Sequence, residues 1–198
     1  MSVKHIVIPI PVNVISDSFE LMQRQIGLKE LTGRNDGDHI KAYHELYRLA
    51  YRKNKTNYPY CQMAQGYWLY VANGNSWNGI EFMKTAGTAK AVQLALKQGI
   101  LQNKDMPIKR HSLLYWKKKH SYQGHVERVY KDFDGLVGET IGANTSNGKH
   151  GSQREGNGIF KRLRDFSKPI GSLQPYAVIH FDLIPFNMTD SDILGKTV

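Results

Sequence analysis

Asn57-Tyr58-Pro59-Tyr60-Cys61-Gln62-Met63-Ala64 is the stretch on which the reading of this chain turns, and it holds the only cysteine. A turn-rich segment ends at Pro59, and Cys61, Ala64, Trp68 and Val71 then recur at helical spacing, so a helix is expected to start at the cysteine. Upstream, Ser16 or Asp17 is expected to cap a helix bearing Phe19, Met22 and Ile26. Asp38 is expected to cap another with Ile40, Tyr43, Tyr47 and Ala50, after the turn Thr32-Gly33-Arg34-Asn35-Asp36-Gly37. Lys4 to Val14 is apolar but broken by Pro9 and Pro11, and reads as an edge strand or extended arm.

Downstream the period changes. A fourth helix is expected over Ala86 to Lys97. From residue 111 the runs His111–Trp116, Gly124–Tyr130, Leu136–Ile141, Gly158–Arg164 and Tyr176–Phe181 read as short strands, separated by turns such as Asp132-Phe133-Asp134-Gly135. Helices followed by antiparallel strands imply an α+β fold. The expected organisation is an extended N-terminal arm over 1–15, one catalytic domain over 16–182 and a tail over 183–198.

The 198 residues, 40% hydrophobic with eleven tyrosines and three tryptophans, suit one globular domain with a substantial core. A single cysteine excludes an internal disulfide framework. No run reaches membrane-spanning length, and Ile6-Val7-Ile8-Pro9-Ile10-Pro11 is too short and proline-broken for a secretory leader, so synthesis in the cytoplasm is expected. A net charge of +10 favours a polyanionic partner, either nucleic acid or bacterial cell wall. The basic clusters are short and scattered, and each also reads as an ordinary solvated face.

Cys61 at a helix start is placed to act as a nucleophile. The helix N-terminus and a neighbouring imidazolium would both favour the thiolate, and the Cys61 backbone N–H is a natural oxyanion donor. His125, in Gly124-His125-Val126, is the candidate base, and Asn144, in Gly142-Ala143-Asn144-Thr145, the candidate group that orients it. Taken singly, each has a plainer reading as a buried apolar thiol, a core or surface histidine, and a turn former. The other histidines show no metal-ligand spacing, and no cofactor is implied.

Thiol, strand histidine and polar amide follow the chain order of papain-like cysteine hydrolases, and the flanking sequence sharpens the resemblance. Gln25–Gly37 resembles the opening helix and loop of CHAP-type, NlpC-related peptidoglycan amidases and endopeptidases. Tyr58-Pro59-Tyr60-Cys61-Gln62-Met63 is similar to their nucleophile segment, and Gly124–Val129 to their histidine strand. Thr140–Thr145 resembles the strand of the third member, Gly151–Arg162 the loop and hairpin that follow, and Tyr176–Ile179 the closing strand.

The resemblance implies a papain-like fold, Cys61, His125 and Asn144 as catalytic residues, and hydrolysis of a wall amide bond through a thioester. Tyr60, Gln62 and Trp68 are the expected substrate contacts. Bacterial peptidoglycan is then the expected partner, without nucleic acid or membrane. Action in the wall or periplasm would require delivery by phage lysis machinery, a virion or a secretion system, with an immunity or delivery protein as a further partner.

Four departures accompany the resemblance. Gly142 stands where many relatives carry a glutamate two residues before the asparagine. Glu127-Arg128 replaces a small residue after the histidine strand's valine. Asn73 to Lys109 is long and is expected to shape the substrate site. Asn35, Asp36 and Asp38 could supply oxygen ligands to calcium, but read first as a turn and helix cap. A catalytically inactive wall-binding relative and a basic nucleic-acid-binding module remain alternatives.

Overall fold

Ile6, Ile8 and Ile10 alternate along the first strand and are all buried in one apolar cluster with Leu113, Tyr115, Val126, Ala177 and Ile179 from three other strands. This period-two burial builds a seven-stranded sheet of order β2-β1-β7-β3-β4-β5-β6. Its strands are β1 (Lys4–Pro11), β2 (Ile100–Leu101), β3 (Leu113–Lys118), β4 (Gly124–Val129), β5 (Val137–Thr145), β6 (Gly158–Asp165) and β7 (Leu173–Ile184). Only the β1–β7 pair is parallel. Four helices complete the α+β fold: α1 (Val12–Arg24), α2 (Asp38–Leu46), α3 (Cys61–Ala72) and α4 (Thr88–Gln98). The computed structural model describes residues 3–52, 55–101, 106–146 and 156–185.

β1 corrects the expected edge strand or arm, because it lies inside the sheet between β2 and β7. The two prolines are tolerated because β2 pairs only with Ile6 and Val7, leaving that flank of β1 open where Pro9 and Pro11 lack an N–H. The chain passes straight from Pro11 into α1, so the helix begins at Val12 rather than near Ser16. Its buried residues Val14, Ile15, Ser18, Phe19 and Met22 keep the expected spacing. Asp38 opens α2 with Gly37 as its N-cap, and the helix ends at Leu46, short of Tyr47 and Ala50.

α3 is buried on nearly all sides: Cys61 to Gly66, Trp68 and Leu69 are all inside, as befits a central helix covered by other helices and by the sheet. Gln25 ties this layer together. Its Oε1 accepts a hydrogen bond from Trp68 Nε1 at 2.7 Å and another from the Tyr43 hydroxyl. The segment after α3 packs into the core through Ile80, Phe82, Met83, Ala91, Val92 and Ala95. Its length is spent on core rather than on the groove expected from Asn73 to Lys109. β7 extends to Ile184, and residues 186–198 of the expected tail lie outside the described residues.

Candidate active site

Cys61 is the first residue of α3, where the leading backbone N–H groups have no intrahelical acceptor. Its free thiol lies beside the imidazole of His125, close enough to raise that ring's pKa. On the other side of that ring, Nε2 lies 3.0 Å from Glu127 Oε1. Nδ1 is therefore the nitrogen left to face the thiol. His125 and Glu127 are two residues apart on β4, so strand alternation places them on one face.

Both oxygens of Glu127 are fully engaged. Oε1 meets His125 and Arg164 Nη2, while Oε2 accepts from Thr140 Oγ1 at 2.5 Å and Arg164 Nε at 2.7 Å. Arg164 also reaches Thr145 Oγ1 at 3.3 Å. The carboxylate is completely buried and Arg164 nearly so. Burial alone would raise the Glu127 pKa, but the charge and hydrogen bonds of Arg164, with help from His125, hold it well below the usual carboxylate range. Burial likewise pushes His125 down, yet its hydrogen bonds and charge interactions with Cys61 and Glu127 raise it to about 9.

The side chain that meets His125 Nε2 is thus Glu127 and not the Asn144 expected there. Asn144 sits at a bulge between Ala143 and Thr145 with φ of 55°, a left-handed conformation that asparagine tolerates better than most residues. Its turn-forming chemistry shapes β5, and among the described residues it is Glu127, not Asn144, that holds His125 Nε2. The β4–β5 ladder ends at the Glu127–Gly142 pair while β5 continues beside β6 to Thr145. His125 therefore stands beyond the last β4–β5 pair.

Gly142 leaves the space that Glu127 occupies. A Cβ at this position would lie 2.7 Å from Glu127 Oε1 and 2.9 Å from Cγ and Cδ. A side chain there would collide with the Glu127 carboxylate where it reaches along β4 to His125. The acid beside His125 comes from β4, and the glycine opposite on β5 makes the room. Locally the sequence shows only that an acid two residues after the candidate base shares its strand face; what pairs and accommodates it comes from β5 and β6.

The three expected substrate contacts are also corrected. Tyr60, Gln62 and Trp68 are fully buried, with Gln62 Nε2 3.5 Å from Met83 Sδ and Trp68 bound to Gln25. They are core residues and present nothing to solvent. Cys61 is 5% and His125 1% exposed. Asp36 accepts hydrogen bonds from Thr32 N at 2.8 Å and Thr32 Oγ1 at 2.6 Å, within the stretch read first as a turn. Among the described residues no three His, Cys, Asp or Glu side chains group as a metal site, and no helix is long and apolar enough to cross a membrane.

Chemically, the group can pass a proton from a thiol to an imidazole whose cationic form a buried carboxylate stabilises. Compared with known proteins, the chain matches no family model, and no curated protein or solved structure matches it.

Proposed function

We propose that the chain is a papain-like cysteine hydrolase that cleaves an amide bond in bacterial peptidoglycan. The observation that carries this reading is the Cys61–His125–Glu127 relay, with the thiol at a helix tip and the base on an antiparallel strand. Peptidoglycan as substrate rests on the resemblance to CHAP-type enzymes and on the +10 charge, which suits an anionic wall.

The reaction runs in two halves. The Cys61 proton already resides on His125 when sulfur attacks the substrate carbonyl, and the Cys61 backbone N–H stabilises the oxyanion. The imidazolium returns that proton to the departing amine, leaving a thioester on sulfur. Water, deprotonated by His125, then attacks the thioester carbon, and the proton returns to the thiolate as the acid leaves. Glu127 stays ionised throughout and holds the ring in place.

Wall digestion by the wild type and by Cys61→Ala and His125→Ala tests the proposal. Both variants are expected to lose activity by at least about 10⁴-fold, because nucleophile and base act as one unit. Lysis by Cys61→Ala at the wild-type rate removes the mechanism. The burial of Cys61 favours one second reading, a relative that binds wall peptides without cutting them. That reading predicts wall sedimentation by wild type and Cys61→Ala alike, with no release of peptides by either.

A further inference from the structure

Lys117, Lys118 and Lys119 run along the end of β3 into the following turn, beside a cavity of about 440 Å³. Its apolar lining includes Val3, Ile108, Leu136 and Phe166. Ile108 and Phe166 belong to the apolar cluster that also holds Leu173 and Val178, distinct from the one containing Cys61. Among the described residues no carboxylate lines this cavity.

The charge beside it is uncompensated. Lys109, Lys131 and Lys168 each find an acidic oxygen, at 3.3, 3.8 and 2.9 Å. Lys118 and Lys119 are exposed and have no such partner among the described residues. Lys117 Nζ and Lys4 Nζ instead sit 5.1 and 5.2 Å from the centroid of the Tyr176 ring, which also lines the cavity. The result is an apolar, aromatic-walled hollow with ammonium groups at its mouth, in the size range of small-molecule sites.

We propose that this cavity binds a small organic anion of the phosphate-monoester class, with an apolar or aromatic body in the hollow and the phosphate at Lys117–Lys119. Lysine presents a compact point charge, and three of them lining one cavity favour a doubly charged phosphate over a singly charged acid. The apolar walls supply what inorganic phosphate could not use. None of the lining residues belongs to the Cys61–His125–Glu127 group, so binding here is independent of the proposed hydrolysis.

The test is calorimetric titration of the full Cys61→Ala chain with phenyl phosphate, with inorganic phosphate and phenol as separate arms. Phenyl phosphate is expected to bind saturably, and each half-ligand at least tenfold more weakly. Lys118→Glu/Lys119→Glu, confined to an exposed strand end and turn, is expected to weaken phenyl phosphate at least tenfold. Absence of saturation at millimolar concentration overturns the proposal. So does equal affinity for inorganic phosphate, or affinity unchanged in a folded double variant.

Discussion

Glu127 and Arg128 are neighbours on β4 and are both completely buried, yet the fold satisfies their charges in opposite ways. On one face, Glu127 meets a full counter-charge in Arg164 and uses what remains of its hydrogen-bonding capacity on His125 and Thr140. On the other, Arg128 meets no carboxylate among the described residues. Its Nη1 donates to Ser18 Oγ at 2.9 Å, its Nη2 to Ile15 O at 3.1 Å, and its guanidinium lies 5.5 Å from the Phe19 ring centroid. Burial, followed by the nearby charge of Arg110, lowers the Arg128 pKa to about 9. A matched pair keeps an ionised acid beside the candidate base, whereas the dipole-solvated cation fastens α1 to the sheet. If that contrast is sound, changes on the two faces should separate activity from stability.

The sharpest break is Glu127→Gln, which keeps the shape but removes the charge. We expect kcat/KM to fall about 100-fold, within the range for disabling a general acid–base. The pH profile carries the discriminating signal. With a folded pKa of about 9, His125 is cationic through neutrality, so the alkaline limb of the wild type should lie near 9. The glutamine variant should move that limb down toward the ordinary value of 6.5, since one of the groups that raise it is gone. An unmoved limb would mean that Glu127 serves structure only.

Arg164→Met should act mainly on stability, costing about 3–5 kcal/mol by leaving Glu127 buried without its partner. The double variant Glu127→Gln/Arg164→Met should cost less than the sum of the two, read from denaturant unfolding as a double-mutant cycle. The pH dependence follows from the sign of the Glu127 shift. Its folded pKa lies below the ordinary 4.5, so the unfolded chain binds more protons in acid. The pair's contribution is present above 4.5 and fades as pH falls through the lower folded value. Arg164→Met should flatten that acid decline.

Arg128→Met tests the other face. It removes two hydrogen bonds to neutral oxygens and should cost about 1–3 kcal/mol, with kcat/KM within about twofold of the wild type. A loss of activity as large as that of Glu127→Gln would erase the distinction between the faces.

The contrast also marks how far the sequence could be read. The thiol at a helix start and the histidine on a strand were legible because each follows from a local period: Cys61, Ala64 and Trp68 at helical spacing, and Gly124 to Val129 in an extended run. The helix-then-strand order likewise announced the α+β class. β1 was misplaced because prolines mark edges only by local rule. Whether β2 stops short of Pro9 is settled by a pairing about 90 residues away. Glu127 was missed because its partner Arg164 and the space above Gly142 come from neighbouring strands. A buried acid is recognisable only when both are in view. Trp68 and Gln62 looked like groove residues for the converse reason: nothing local says that α3 is covered all round.

Asn144 gives the smallest and most pointed prediction. If it oriented His125, losing its amide would lower activity. If it serves the bulge, only its backbone matters. Its φ of 55° suits glycine at least as well as asparagine, so Asn144→Gly should leave both stability and kcat/KM close to wild type. Asn144→Ala keeps a Cβ in a left-handed conformation that alanine resists, and should cost about 1 kcal/mol. Activity would fall only as far as the folded fraction does. The order Gly above Ala is the signature of a backbone role, because an orienting amide is absent equally from both. Equal and large losses of activity in the two folded variants would return Asn144 to the catalytic group and leave Glu127 as its support.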